Sequence, residues 1–164
     1  MQPPGTTFEL ATQVGERLRQ TRRSLAVAES CTGGLLGAAI TDVPGSSSYF
    51  LGGVISYADQ VKVEQLGVPA ATLQAHGAVS AETACAMATG VRSLLKADLG
   101  VSITGVAGPG AEGGKPVGLT YIAVATDVGV RAYHYQWAGD RWANRRDSVI
   151  AALTLLAGAA DTMR

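Results

Sequence analysis

Apolar positions along the chain follow two different spacings. Near the start, apolar residues recur three or four positions apart after a capping-box pair, Thr6 and Glu9, which predicts an amphipathic helix over 6–21. Short uninterrupted apolar runs at 25–29 and 99–104 are typical of buried strands instead. With glycine and proline as breaks, the same patterns predict further helices at 34–42, 58–66, 81–96 and 141–160, and further strands at 52–57, 117–126 and 130–137.

The order of these elements indicates a fold class. Helices and strands alternate over most of the chain, which is typical of parallel strands joined by helices, whereas the turn at 127–129 joins two late strands as a hairpin. The prediction is an α/β fold, a three-layer α/β/α sandwich with a mixed, mostly parallel sheet. A length of 164 residues suits one domain, so residues 1–164 are expected to form a single unit.

Composition narrows the classes of protein. Hydrophobic residues make up 47% of the chain but aromatic residues only 5%, so the core must be aliphatic. Thirteen basic residues balance thirteen acidic ones, which gives no reason to expect direct nucleic-acid or anionic-membrane binding. No apolar stretch reaches the roughly 20 residues that span a bilayer. Two cysteines without disulfide or zinc spacing favour a reducing, cytoplasmic setting.

A glycine-rich segment at 105–116 contains two incomplete nucleotide motifs. Residues 108–113 match the dinucleotide pattern GxGxxG, but the segment leads into a strand, where that pattern needs a helix. Lys115 is followed by Pro116 and not by the serine or threonine of a phosphate-binding loop. Two isolated histidines, His76 and His134, lack metal-ligand spacing. Neither a metal nor a cofactor is therefore expected.

The segment AESCTGG at 28–34 places reactive side chains where a strand meets a helix. Ser30, Cys31 and Thr32 lie at the mouth of that helix, whose first backbone N–H groups have no partner within the helix. Such groups can bind an oxyanion, and Gly33 lets a ligand come close. A plain hydroxyl cap beside a buried cysteine explains the same pattern, and the segment alone leaves both interpretations open.

Tyr57 and Lys62 flank the next junction of strand and helix. An amine acts as a general base only when it is neutral, so the pKa of Lys62 would have to fall well below the usual value of about 10.4. Partial burial has that effect. A solvated lysine on a helix surface is the competing interpretation.

Two arginines lie at the start of the last predicted helix. Arg141 and Arg145 are four residues apart and share one helix face, where two guanidinium groups would suit a phosphate. An exposed face of ion pairs with Asp140 and Asp147 is the alternative.

These residues belong to a set of sequence blocks that cover the chain from about residue 8 to 160. The chain resembles the CinA-like family, the C-terminal domain of competence/damage-inducible protein A, whose stand-alone members are nicotinamide-nucleotide amidohydrolases. The blocks are AESCTGG at 28–34, DVPGSS at 42–47, GGVISYADQVKVEQLGV at 52–68, HGAVS at 76–80, SITGVAGPG at 102–110, KPVG at 115–118 and AGDR at 138–141. Ala138 is a departure, since serine is expected there in many members.

The resemblance implies deamidation of nicotinamide mononucleotide to nicotinate mononucleotide and ammonia, without metal or cofactor. The nucleotide would be the small-molecule partner, and a homo-oligomer, with a dimer favoured, is expected. The implied roles fall on catalytic Ser30 (nucleophile), Lys62 (base) and Tyr57 (assisting), on Cys31, Thr32, Gly33, Thr104 and Gly105 for the oxyanion and substrate, and on Arg141 and Arg145 for the phosphate.

Two other functions compete with this one. The first is a catalytically silent binding or regulatory module linked to competence or the DNA-damage response; the presence of Ser30, Tyr57 and Lys62 together argues against it. The second is a cysteine hydrolase built on Cys31, which requires a histidine near the thiol in the folded chain.

Overall fold

The computed structural model describes the backbone of residues 5–162 and the side chains as far as Ala159. Its elements in chain order are α1 (Thr6–Thr21), β1 (Leu25–Glu29), α2 (Leu35–Thr41), a short 3-10 turn (Ser46–Ser48), β2 (Phe50–Ile55), α3 (Asp59–Leu66), α4 (Ala70–His76), α5 (Ala81–Leu95), β3 (Leu99–Gly105), β4 (Leu119–Thr126), β5 (Gly129–Gln136) and α6 (Arg141–Thr162). Over residues 5–162, no helix combines the length and apolar character needed to cross a membrane.

Five strands form one sheet in the order β2-β1-β3-β4-β5. β1 pairs in parallel with both of its neighbours, whereas β4 is antiparallel to β3 and to β5. Four strands therefore run in one direction and β4 in the other. The predicted α/β sandwich with a mixed, mostly parallel sheet is confirmed.

Helices cover both faces of the central strands. Along β1, Leu25 and Val27 pack into the cluster that α1, α2 and α6 supply, and Ala26 and Ala28 pack against α3 and α5. Every residue of β1 is consequently buried. This two-sided burial explains why the strand is an uninterrupted apolar run and does not alternate with polar residues.

Small residues let α5 lie close to the sheet. A Cβ atom at Gly100 of β3 would collide with the carbonyl oxygen of Ala88 in α5. Alanines from α5 and from β4 form the adjoining cluster, including Ala84 and Ala123. The low aromatic content of the chain therefore has a structural counterpart, a tight helix-to-sheet contact made of small side chains.

The structure differs from the predicted elements in several places, of which the following bear on the prediction of elements and caps. α4 was not predicted; it is a seven-residue helix whose N-cap is Pro69, with no side-chain cap to mark it in the sequence. β2 ends at Ile55, two residues before the predicted end, so Tyr57 lies beyond the strand. The predicted capping box does not form, because Gly5 is the N-cap of α1 and no side chain caps that helix.

Candidate active site

The predicted reactive residues meet at the carboxyl ends of the parallel strands. β1 lies between β2 and β3, and the chain crosses to these neighbours over opposite faces of the sheet, an arrangement that opens a crevice at the strand ends. A cavity of about 140 Å³ lies there. Its walls include Ser30, Cys31, Tyr57, Asp59, Lys62, Thr104, Gly105, Glu112 and Arg141.

Lys62 and Ser30 form a direct pair in this cavity. The Lys62 side chain is fully buried, and its Nζ lies 3.1 Å from Ser30 Oγ. The same Nζ donates to the carbonyl oxygens of Ser56 at 2.6 Å and Tyr57 at 3.2 Å. Two N–H bonds of the amine are thus held by backbone carbonyls, and its remaining position faces the serine hydroxyl. In a neutral amine that position is the lone pair, which can accept the hydroxyl proton.

Burial is the main reason why the pKa of Lys62 lies below its ordinary value. Three groups act in the opposite direction: Asp59, whose carboxylate lies 4.0 Å from Nζ, Cys31 and Glu112. Since desolvation outweighs them, the structure favours the neutral amine more than water does. This is the direction that a general base at moderate pH requires.

Glu29, at the end of β1, holds the turn that carries Ser30. Its buried carboxylate accepts hydrogen bonds from the backbone N–H groups of Leu36 at 2.9 Å and Gly37 at 3.0 Å, at the start of α2. Negative charge is favourable at a helix N-terminus. The sequence interpretation missed this role, although an acidic residue a few positions before the glycine pair that leads into a helix was the available signal.

The predicted oxyanion donors divide into two groups. The Gly33 N–H donates to the Ser30 carbonyl at 3.0 Å and so closes the turn, while the predicted part of Gly33 in the oxyanion and substrate site stays a prediction. Among residues 5–159, the N–H groups of Cys31 and Thr32 donate to no other residue. These two remain the predicted donors.

Cys31 lacks the surroundings of a nucleophile. Burial raises the pKa of its thiol to about 11. Neither histidine lines the cavity: His76 lies 3.7 Å from Glu82, and His134 packs edge-on against Tyr121. The cysteine-hydrolase interpretation therefore has no histidine base in the structure.

Arg141 lies at the cavity, in contact with Tyr57. Its Nη1 donates to the Gly108 carbonyl at 2.7 Å, and its Nη2 donates to the Tyr57 hydroxyl at 3.3 Å. Tyr57 is 60% exposed as a whole residue, and its phenol lies at the rim while its carbonyl contacts Lys62. Tyr57 therefore reaches the dyad through its backbone.

Arg145 lies elsewhere. Its Nε donates to the carbonyl of Cys31 at 3.0 Å and its Nη2 to the carbonyl of Thr32 at 3.2 Å, and it does not line the cavity. Arg141 and Arg145 thus contact different backbone carbonyls, and the predicted phosphate site at these two residues stays a prediction. The helix start itself is capped by Asp140, whose carboxylate accepts from the N–H of Ala143 at 2.9 Å.

The end of β3 supplies the opposite wall. Thr104 is buried and its hydroxyl donates to the Ala78 carbonyl at 2.8 Å, while Gly105 forms part of the cavity surface. Two acidic residues that the sequence interpretation missed, Asp59 and Glu112, also line the cavity. Asp59 could have been found from its position three residues before Lys62 on the same helix.

Comparison with known proteins assigns the family. The protein-family model of the CinA C-terminal domain matches residues 7–160 of the sequence. The chain belongs to this family. CinA-like proteins from Geobacter sulfurreducens and Trichodesmium erythraeum are 47% and 50% identical to it, over 88% and 90% of the chain and 35% and 36% of their own lengths. The chain thus spans about a third of these curated relatives.

Solved structures of the CinA superfamily share the whole fold. The competence/damage inducible protein CihA from Agrobacterium tumefaciens has 36% identity and a TM-score of 0.91, covering 96% of this chain and 97% of its own. The competence damage-inducible protein A from Klebsiella pneumoniae has 32% identity and a TM-score of 0.93, with coverages of 96% and 99%. The resemblance inferred from the sequence blocks is confirmed. Within the described part of this CinA domain, no three His, Cys, Asp or Glu side chains are grouped to hold a metal ion.

Proposed function

We propose that this CinA domain is a serine amidohydrolase that converts nicotinamide mononucleotide to nicotinate mononucleotide and ammonia. The observation that carries the proposal is the buried pair of Lys62 Nζ and Ser30 Oγ, 3.1 Å apart inside a cavity. A hydroxyl beside a desolvated amine is an activated nucleophile, which suits hydrolysis of an unactivated amide.

The chemistry needs one proton carrier and one nucleophile. Neutral Lys62 takes the proton of Ser30 as Oγ attacks the carboxamide carbon, and the carbonyl oxygen becomes an oxyanion beside the N–H groups of Cys31 and Thr32. Lys62 then gives that proton to the amide nitrogen, the C–N bond breaks, ammonia leaves and an ester on Ser30 remains. Water attacks the ester while Lys62 accepts its proton. Collapse returns the proton from Lys62 to Ser30 and releases the acid, which becomes the carboxylate as ammonia takes up its proton.

The dimensions of the site fit part of the nucleotide. About 140 Å³ is the space of four or five waters at ~30 Å³ each, enough for a ring carrying a carboxamide. The ribose and phosphate would then extend past the rim, where Arg141 presents a guanidinium group. Phosphate binding at a distance from the reacting carbon would hold the amide against Ser30.

Ammonia release tests the proposal directly. Purified protein is incubated with nicotinamide mononucleotide. Ammonia is measured by a coupled assay and nicotinate mononucleotide by chromatography, and the two products should form in equal amounts. Ser30→Ala should remove nearly all turnover, whereas Ser93→Ala, a serine of α5 away from the cavity, is the matched control. If the wild-type protein binds the nucleotide but releases no ammonia, the proposal is wrong and the silent binding module is the better description. The homodimer stays a prediction, to be measured by light scattering.

A further inference from the structure

Arg145 connects the last helix to the turn that follows the nucleophile. Its guanidinium group bridges the carbonyls of Cys31 and Thr32, residues 114 and 113 positions away in the chain. One face of the group lies 5.5 Å from the centre of the Trp142 ring, which restricts its rotation. The side chain is thereby fixed against two consecutive peptide groups next to Ser30.

Peptide geometry passes this restraint to the predicted oxyanion donors. In a planar trans peptide the carbonyl and the next N–H point in opposite directions. Holding the Cys31 carbonyl therefore fixes the direction of the Thr32 N–H, which donates to no other residue among those described. The Gly33 N–H closes the same turn onto the Ser30 carbonyl at 3.0 Å. The turn is therefore held by its own hydrogen bond from Gly33 to Ser30 and by the bonds from Arg145 to the carbonyls of Cys31 and Thr32.

Arg145 also brings an uncompensated charge. Across residues 5–159, no carboxylate lies within ion-pair distance of its guanidinium, whereas its neighbour Arg146 lies 3.9 Å from Asp147. Here the positive charge is directed at the peptide groups beside which negative charge develops in the proposed reaction, where fixed dipoles and charges are most effective.

We propose that Arg145 is a positioning residue that holds the turn at 30–33 so that the N–H groups of Cys31 and Thr32 stabilise the oxyanion. This inference rests on the proposed amidohydrolase function. It replaces the phosphate-binding role that the sequence suggested for Arg145. A positioning residue acts on the transition state, so its loss lowers kcat with KM little changed, whereas loss of a phosphate contact raises KM as well.

The kinetic test compares Arg145→Ala and Arg145→Lys with the control Arg146→Ala. Removal of one oxyanion donor typically lowers kcat by about 10²–10³-fold, so Arg145→Ala should lose about 100-fold in kcat with KM changed by less than about threefold. Arg145→Lys should recover only part of this, because one ammonium cannot bridge two carbonyls. Millimolar guanidinium chloride should partly restore Arg145→Ala and leave Arg146→Ala unchanged.

A second readout separates this inference from the choice of substrate. A fluorophosphonate reacts with an activated serine through a charged, oxyanion-like state, and its attachment to Ser30 is followed by intact mass. Labelling should be rapid in the wild-type protein and in Arg146→Ala and slow in Arg145→Ala. Rapid labelling of the wild-type protein without turnover of nicotinamide mononucleotide would show that the proposed substrate is wrong, while Ser30 is still an activated serine. Unchanged labelling and kcat in folded Arg145→Ala, or a raised KM at unchanged kcat, would overturn the positioning role. If Arg145→Ala does not fold, the same comparison is decided with Arg145→Lys.

Discussion

Replacing Lys62 by methionine removes the amine while keeping an unbranched apolar side chain in the same buried space. The wild-type Nζ contacts two carbonyls and Ser30 Oγ, so the variant loses the predicted base without opening a large cavity. Positioned general bases contribute about 10²–10⁴-fold, equal to roughly 3–5.5 kcal/mol of barrier. Lys62→Met should lose that much activity, and Lys62→Arg should lose nearly as much, because a guanidinium keeps its proton near neutral pH.

The same variant tests the protonation state through stability. Burial lowers the pKa of Lys62 in the folded protein below its ordinary value, so at pH values between the folded and the unfolded pKa the unfolded chain binds more protons than the folded one. Wild-type stability must then rise with pH across that window, and it is lowest below the folded pKa, where an ammonium is buried. One proton corresponds to at most about 1.4 kcal/mol per pH unit.

Urea unfolding of the wild-type protein and of Lys62→Met between about pH 6 and pH 9 gives the difference between their free energies of unfolding at each pH. The free energy of unfolding of the wild-type protein should rise with pH relative to that of Lys62→Met. A difference that stays constant or falls with pH would mean that Lys62 is charged in the folded protein. Together with substantial activity in Lys62→Arg, it would refute the neutral-amine mechanism.

Three further outcomes are expected from the site. Cys31→Ala should keep a measurable fraction of ammonia release, because the thiol pKa of about 11 makes it a poor nucleophile, whereas a complete loss comparable to Ser30→Ala would restore the cysteine hypothesis. Arg141→Ala should lower kcat/KM for nicotinamide mononucleotide by about 10- to 150-fold and for the dephosphorylated riboside very little, and equal losses on both would place the phosphate elsewhere. Glu112→Gln should weaken binding of the positively charged nicotinamide ring by about threefold to tenfold at low salt. Calorimetry measures this binding in the Ser30→Ala background, where the substrate is not consumed. An unchanged affinity would show that the Glu112 carboxylate does not face the ring.

The fold could be predicted from the sequence where burial leaves a local pattern. β1 and β3 are covered on both faces, so their apolar runs stand out. The helix predicted over 81–96 is present as α5 and begins after a serine cap, with the Ser80 hydroxyl accepting from the Thr83 N–H at 3.1 Å. α4 has seven residues, no side-chain cap and no fully buried position. Its only sequence signals are Pro69 before it and Gly77 after it, which mark a helix start and stop but do not require a helix between them.

The site was predictable as a set of residues but not as a geometry. Sequence blocks identified Ser30 and Lys62, yet their 32-residue separation implies no distance, and only the topology of β1 and β2 brings them to 3.1 Å. The two arginines were placed on one helix face correctly, but four-residue spacing does not show what each one contacts. Arg145 contacts a turn more than a hundred residues away, and such long-range contacts follow from the packing of α6.

The contact between α6 and the nucleophile turn has a consequence for the order in which a working site appears during synthesis. Ser30 and Lys62 leave the ribosome before α6 does, because they precede it in the chain. The guanidinium group that holds the turn belongs to Arg145 in α6, 114 residues after Cys31 in the chain. A nascent chain that lacks α6 would carry its nucleophile and base with the turn unrestrained. The proposed hydrolysis would therefore become possible only when α6 docks against the turn. Its onset would show that synthesis has passed this helix.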